Sequence, residues 1–162
     1  MDEQILELLK ADARVSDKDI SVQLDIDEQV VTSTRKQLED DNIIVKYSAI
    51  INPRKDQELG KVMAFIEVKV SPERDKGFDN LAERVQLFPE VNSVYLMSGS
   101  YDLLVSVKGD SLHEVASFVS EKLSPLGRIV SSTTHFLLKT YKENGIIMSE
   151  QSDSPSRLAV SF

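Results

Sequence analysis

Gln29, Thr32, Ser33 and Lys36 bring four nucleic-acid-competent side chains into one short stretch. A glutamine amide pairs bidentately with adenine, threonine and serine hydroxyls touch bases or phosphates, and a lysine ammonium meets a phosphate or a guanine. On a helix whose Val31 and Leu38, one heptad apart, face inward, all four point outward. The plainer reading of such a polar face is a solvated helix surface. Other chemistry is poorly supplied. With no cysteine there is no thiol nucleophile, disulfide frame or Cys-based metal site. His113 and His135 are the only imidazoles, which excludes a multi-histidine metal centre. A Gly-rich phosphate loop, a nucleophile elbow and a spaced Ser/His/Asp set are all missing, so neither a catalytic residue, a metal nor a cofactor is expected.

The elements that position those four residues are three predicted helices. Ile5, Leu6, Leu8 and Leu9 form an apolar stripe that ends near Asp12-Ala13-Arg14. Ser16-Asp17-Lys18-Asp19 sets a hydroxyl three residues before a carboxylate, a capping-box start for a second helix with Ile20, Val22 and Leu24. Asp25-Ile26-Asp27 allows only a tight turn, and Asp27 can cap a third helix from about Glu28 to Asp41. Asn42 suits a left-handed helix stop. Two helices joined by so short a turn make a helix-turn-helix pattern. Two short strands, 43–45 and 47–51 with Lys46 near their junction, would then form a wing. Asn52-Pro53 breaks the pattern, so the division expected is a DNA-binding domain over 1–52 and a polar linker over 53–60.

Residues 61–145 have another rhythm. Val62, Ala64, Ile66, Val68 and Val70 alternate along one side of a strand. A helical stripe of Phe78, Leu81, Ala82, Val85 and Phe88 ends at Pro89. Strands follow at 91–97 and 103–107, then a helix opened by a Ser111-to-Glu114 capping box and running to Leu123, then a last strand over 129–139. Strand-helix-strand occurs twice, the ferredoxin-like βαββαβ pattern with both helices on one face of an antiparallel sheet. The fold class is therefore α+β. The uncovered face keeps Met63 and Phe65, and the last strand carries Phe136 and Leu138, so a homodimer with facing sheets is expected. Residues 146–162 read as a polar, breaker-rich C-terminal tail, with an apolar Leu158-to-Phe162 end.

The 162 residues carry 27 Asp+Glu against 19 Lys+Arg, a net charge of −8. Residues 1–60 hold 14 of the acids and 8 of the bases, net −6. That acidic balance opposes nonspecific polyanion binding. No apolar run reaches the roughly 18 residues of a membrane span, and Met1-Asp2-Glu3 is not a basic leader, so a cytoplasmic location without membrane contact is expected.

Several stretches in order resemble the Lrp/AsnC (feast/famine) transcriptional regulators: Ile5-Leu6-Glu7-Leu8-Leu9, Asp12-Ala13-Arg14-Val15-Ser16, Leu38 to Ile44, Tyr47-Ser48-Ala49 with Asn52-Pro53, and Ser98-Gly99-Ser100-Tyr101-Asp102-Leu103-Leu104. The resemblance covers about residues 3–145. It implies a winged helix-turn-helix that binds double-stranded DNA, a sensor domain that binds a small effector such as an amino acid, and dimers that associate further. The effector positions it implies are Gly99, Ser100, Tyr101 and Asp102, with Ser132, Thr133 and Thr134 as polar support. Exposed hairpin N–H groups can hold a carboxylate, and Asp102 or the strand hydroxyls an ammonium. The competing reading is turn chemistry, Gly99 supplying a positive φ and Asp102 bonding its own turn. On the DNA side Arg35 is added, with Lys46, Arg54 and Lys55 as backbone contacts from wing and linker. Thr32, Ser33 and Thr34 are neutral where the family often has Arg or Lys. Arg35 falls where it usually has an aliphatic core residue, its stem on the core and its head reaching outward. Binding weak per monomer, with several dimers in a row, follows.

Two other functions fit the same architecture. Siroheme decarboxylases share it and need an imidazole near the porphyrin, for which His113 and His135 are the candidates. A module that senses a metabolite but binds a protein through its acidic head is the other.

Overall fold

A computed structural model describes residues 1–52, 60–71 and 78–148. The chain divides between Ile50 and Ile51 into two compact units. The first holds α1 (Asp2–Ala11), α2 (Asp17–Leu24) and α3 (Glu28–Asp40). Its core is Ile5, Leu9, Ile20 and Val31, flanked by Leu8, Val15, Leu24, Ile26 and Ile44. The expected caps are made. Ser16 Oγ accepts the Asp19 N–H, and the Asp27 side chain accepts the Gln29 N–H. Asn42 takes a φ of 56°, and the Ile43 N–H returns to the Leu38 carbonyl as α3 closes. Val22, named above with Ile20 and Leu24 in the second helix, is 74% exposed. An i, i+2 step turns a helix through about 200°, which carries it away from Ile20.

The two wing strands expected at 43–45 and 47–51 do not form. A lone Lys46 is one residue short of the tightest hairpin, about two residues, so the segments cannot pair with each other. Val45 is 82% exposed, and the Tyr47 hydroxyl instead donates to Glu39 Oε1 at 2.8 Å.

In the second unit β1 (Val62–Val70), β2 (Val91–Leu96), β3 (Leu103–Gly109) and β4 (Ile129–Phe136) build an antiparallel sheet in the order β2-β3-β1-β4. This is the ferredoxin-like order. The helices are α4 (Asp79–Val85) and α5 (Leu112–Ser117), with Ser111 capping α5 through the Glu114 N–H. The chain then loosens into a π-helical turn, Phe118–Leu123, and a 3₁₀ turn, Ser124–Leu126, where Pro125 has no N–H to continue the helix. The core is larger here: Ala64, Ile66, Val68 and Val70 of β1 and Leu103, Val105 and Val107 of β3 pack with Leu81, Val85, Val115, Phe118 and Leu123.

β4 stops at Phe136 rather than running to residue 139. Its partner β1 begins at Val62, and the Ala64–Phe136 pair together with the Leu137 N–H to Met63 carbonyl bond uses up that ladder. Phe136 pairs with Ala64 and so lies on the helix side of the sheet, while Met63, Phe65 and Glu67 line the open side. Residues 146–148 also leave the expected tail. β5 (Lys142–Glu143) and β6 (Ile146–Ile147) make a hairpin around Asn144-Gly145, both at positive φ as a type I′ turn requires, and Met148 is buried. The rest of the expected tail, from residue 149, lies outside the described residues, as does the linker up to residue 59.

Candidate nucleic-acid interface and effector hairpin

The inner face of α3 is Val31, Thr34 and Leu38, all buried. Helical geometry then turns Gln29, Thr32, Ser33 and Lys36 outward, and each is exposed. Their hydroxyls are not equally available. Ser33 Oγ donates to the Val30 carbonyl at 3.0 Å. Thr32 Oγ1 donates to Asp17 Oδ2 at 2.7 Å and lies 3.1 Å from the Glu28 carbonyl.

Arg35 departs from its expected role. Its head turns inward, with Nη2 2.7 Å from Asp17 Oδ1 and 3.0 Å from the Val15 carbonyl, and both partners of the ion pair are about four-fifths buried. The reason is helical phase: Arg35 is four residues after Val31, on the side that meets α2, and Asp17 opens α2 there. Asp17 thus holds two residues of α3 at once, one with each carboxylate oxygen. Tyr47 lies beside the same arginine, and burial first, then the Glu39 carboxylate, pushes its phenol above the ordinary value. Several of the acids that made this unit look hostile to DNA hold caps and braces with their carboxylates: Asp17, Asp19, Asp27 and Glu39. Lys46 is exposed in the segment after α3. Arg54 and Lys55 lie outside the described residues.

At the other candidate site, Gly99 has a φ of 137°, with nothing within 4 Å of where a Cβ would sit. Backbone conformation, not space, therefore calls for glycine. The Met97 N–H bonds the Asp102 carbonyl across the turn, and the Asp102 N–H bonds the Val68 carbonyl. The Asp102 side chain, half-buried, turns to β1 rather than to its own turn. Oδ2 accepts the Val70 N–H at 2.7 Å, where the β1–β4 register shifts between Lys69 and Val70. That bulge takes Val70 out of the regular ladder, and the carboxylate holds its N–H. Ser100 is exposed and Tyr101 half-buried beside it.

Ser132 pairs with Val68, Thr133 with Glu67 and Thr134 with Ile66. Strand alternation therefore puts Ser132 and Thr134 on the helix side and Thr133 on the open side, so the three cannot line one surface. Ser132 lies at the hairpin's end of the sheet, because Val68 stands opposite it in register and accepts the Asp102 N–H on its other side. Of the two imidazoles, His113 lies in the first turn of α5, on the covered side, and His135 on the open face 3.3 Å from Glu67 Oε1. They do not face one another. The Asp17 brace and the Val70–Asp102 bond escaped sequence reasoning because each joins residues 15 or more apart, beyond the reach of helix or turn periodicity.

The geometry can now be set beside known proteins. The winged helix-turn-helix DNA-binding family model matches residues 1–45, and the Lrp/AsnC ligand binding domain matches residues 63–147. The chain is 46% identical over 158 residues to an uncharacterized HTH-type transcriptional regulator, YugG of Bacillus subtilis, covering 98% of this chain and 95% of that one. It is 30% identical to a proline dehydrogenase transcriptional activator of Rhizobium radiobacter, over 90% of this chain and 92% of the relative. Among solved structures, the L-Met complex of a Neisseria meningitidis transcriptional regulator superposes with a TM-score of 0.68 at 27% identity, covering 88% of this chain and 90% of the other. Relatives named as regulators match almost end to end, and two family models fall in order on the helical unit and the sheet unit. The chain belongs to the Lrp/AsnC family of transcriptional regulators.

Proposed function

We propose that α3 enters the major groove of duplex DNA with Gln29, Thr32, Ser33 and Lys36 at the bases and phosphates, and that Lys46, Arg54 and Lys55 add backbone contacts. The observation that carries this reading is the exposed Gln29–Thr32–Lys36 stripe opposite a fully buried Val31. In helix-turn-helix docking it is the second helix of the motif that meets base edges. The domain division that fits is a DNA-binding part over 1–52, a linker over 53–60 and a sensing part from residue 61 through the β5–β6 hairpin.

The effector we assign to the Gly99–Asp102 hairpin is an amino acid, in keeping with the L-Met bound to the Neisseria relative. A carboxylate that accepts one N–H, as Asp102 does, retains acceptor capacity for an ammonium. Ser132 is the strand hydroxyl nearest in register, with Thr133 and Thr134 further along β4. The open sheet face, with Met63, Phe65 and Leu137, pairs two chains in a dimer, and dimers assemble further in the cytoplasm. No helix among the described residues is long and apolar enough to cross a membrane. An effector acts here through its different affinities for two assemblies or for free and DNA-bound protein.

The test joins two titrations. Fluorescently labelled upstream DNA is titrated with the full chain over a salt series, and a thermal-shift screen of the twenty amino acids is read beside light scattering. Saturable, salt-sensitive binding and at least one amino acid that raises the melting temperature and changes the scattering mass are expected. DNA binding that is absent even at low salt overturns the first half, and a flat amino-acid screen overturns the second.

A further inference from the structure

Thr32 lies three residues after Gln29 and four before Lys36, so these side chains form one exposed stripe on the first two turns and a half of α3. That is the part of a recognition helix that reaches base edges. Its hydroxyl, however, is already committed. It donates to a carboxylate oxygen of Asp17 at 2.7 Å, a charge-assisted bond that a neutral base acceptor does not displace. Asp17 cannot follow the hydroxyl outward, because its other oxygen holds the Arg35 guanidinium at 2.7 Å and that guanidinium also bonds the Val15 carbonyl. With its one proton spent, the hydroxyl cannot serve a base acceptor, and its oxygen is drawn toward Asp17 and the Glu28 carbonyl, which leaves the γ-methyl as the branch of the side chain not so engaged. In the major groove the matching feature is the 5-methyl of thymine.

We propose that Thr32 is a specificity residue that reads a thymine methyl by apolar contact, with Asp17 as the positioning residue that turns its hydroxyl away from the DNA. The inference rests on α3 entering the major groove. Asp17 thereby converts a residue that resembles a hydrogen-bond reader into an apolar one.

Duplexes retained by the full chain are first selected from a random pool, and each thymine of the enriched site is then replaced by deoxyuridine, which removes only the methyl. Three proteins are compared: wild type, Thr32→Ser and Thr32→Val. Serine keeps the hydroxyl and drops the methyl; valine does the reverse, and both replace an exposed side chain. At one thymine per half-site, wild type and Thr32→Val should lose about fourfold in affinity, the size of one buried methyl. Thr32→Ser should bind the two duplexes alike. A serine variant as sensitive to deoxyuridine as wild type overturns the proposal, as does a wild type indifferent to every replacement. So does a valine variant that loses base discrimination which serine preserves, since that pattern belongs to a hydroxyl reader. Failure to enrich any duplex is a separate outcome, and it overturns the groove-binding reading together with this one.

Discussion

The helical unit and the sheet unit solve the same problem of holding a few polar side chains in place, with different means. The sheet unit has twelve residues in one buried cluster and a ladder of backbone bonds along β1. There the carboxylate of Asp102, on the Val70 N–H, repairs one bulge in a frame already rigid. The helical unit buries four residues in its cluster, and α3 meets α2 through a carboxylate, a guanidinium and a hydroxyl. A small core leaves helix orientation under-determined, and directional polar contacts supply the difference. The placement of α3 therefore depends on side chains, whereas that of the Gly99–Asp102 hairpin depends mainly on backbone.

The comparison can be broken most forcefully at Ile20, which is fully buried. Ile20→Ala should cost about 3 kcal/mol. A 50-residue unit has on the order of 5 kcal/mol to lose. Circular dichroism during denaturant unfolding should then show the helical unit melting early while the sheet unit keeps its own transition. A single unshifted transition would remove the distinction between the units. Next is Arg35→Met, which strands a four-fifths-buried Asp17 and should cost about 2 kcal/mol, with DNA affinity falling as well. The double variant with Asp17→Asn should recover part of the stability, and a double-mutant cycle with no coupling would deny the brace. Asp102→Ala should cost about 1–2 kcal/mol by leaving the Val70 N–H without its acceptor, seen as faster hydrogen exchange at that amide with the rest of β1 unchanged.

The smallest effect concerns pH. The Lys122 ammonium beside Glu90, linking the π-helical turn to the start of β2, holds the Glu90 carboxyl below its usual range. A carboxyl depressed in the folded state adds stability above its unfolded pKa, about 4.3, and loses it as pH falls towards the folded value. Melting temperatures of Glu90→Gln and wild type should therefore differ at neutral pH and converge in acid. A constant gap across that window would assign the pair no electrostatic role.

Much of the frame was legible because it rests on local rules. Ser16, Asp27 and Ser111 cap the helices where a hydroxyl or carboxylate precedes an apolar stripe, and Asn42 stops α3 in a left-handed turn. Alternation in β1 and the repeated strand-helix-strand order led to the right sheet. Asn144-Gly145 announced a hairpin just as openly, but polar neighbours beyond it drew residues 146–148 into the tail. The wing strands failed for the opposite reason: apolar residues at 43–51 invite a strand, but a ladder also needs a partner at the right distance.

The candidate site divides in the same way. Residue types and a 3.6-residue period determined by themselves which face of α3 is polar and where a turn precedes β3, because these depend on neighbours within a few residues. Only the tertiary structure decided that Arg35 braces instead of reaching out, that the Thr32 hydroxyl is occupied, and that Asp102 serves Val70. Each of those outcomes depends on a partner 15 to 32 residues away, and only the packed chain brings such partners within hydrogen-bond distance.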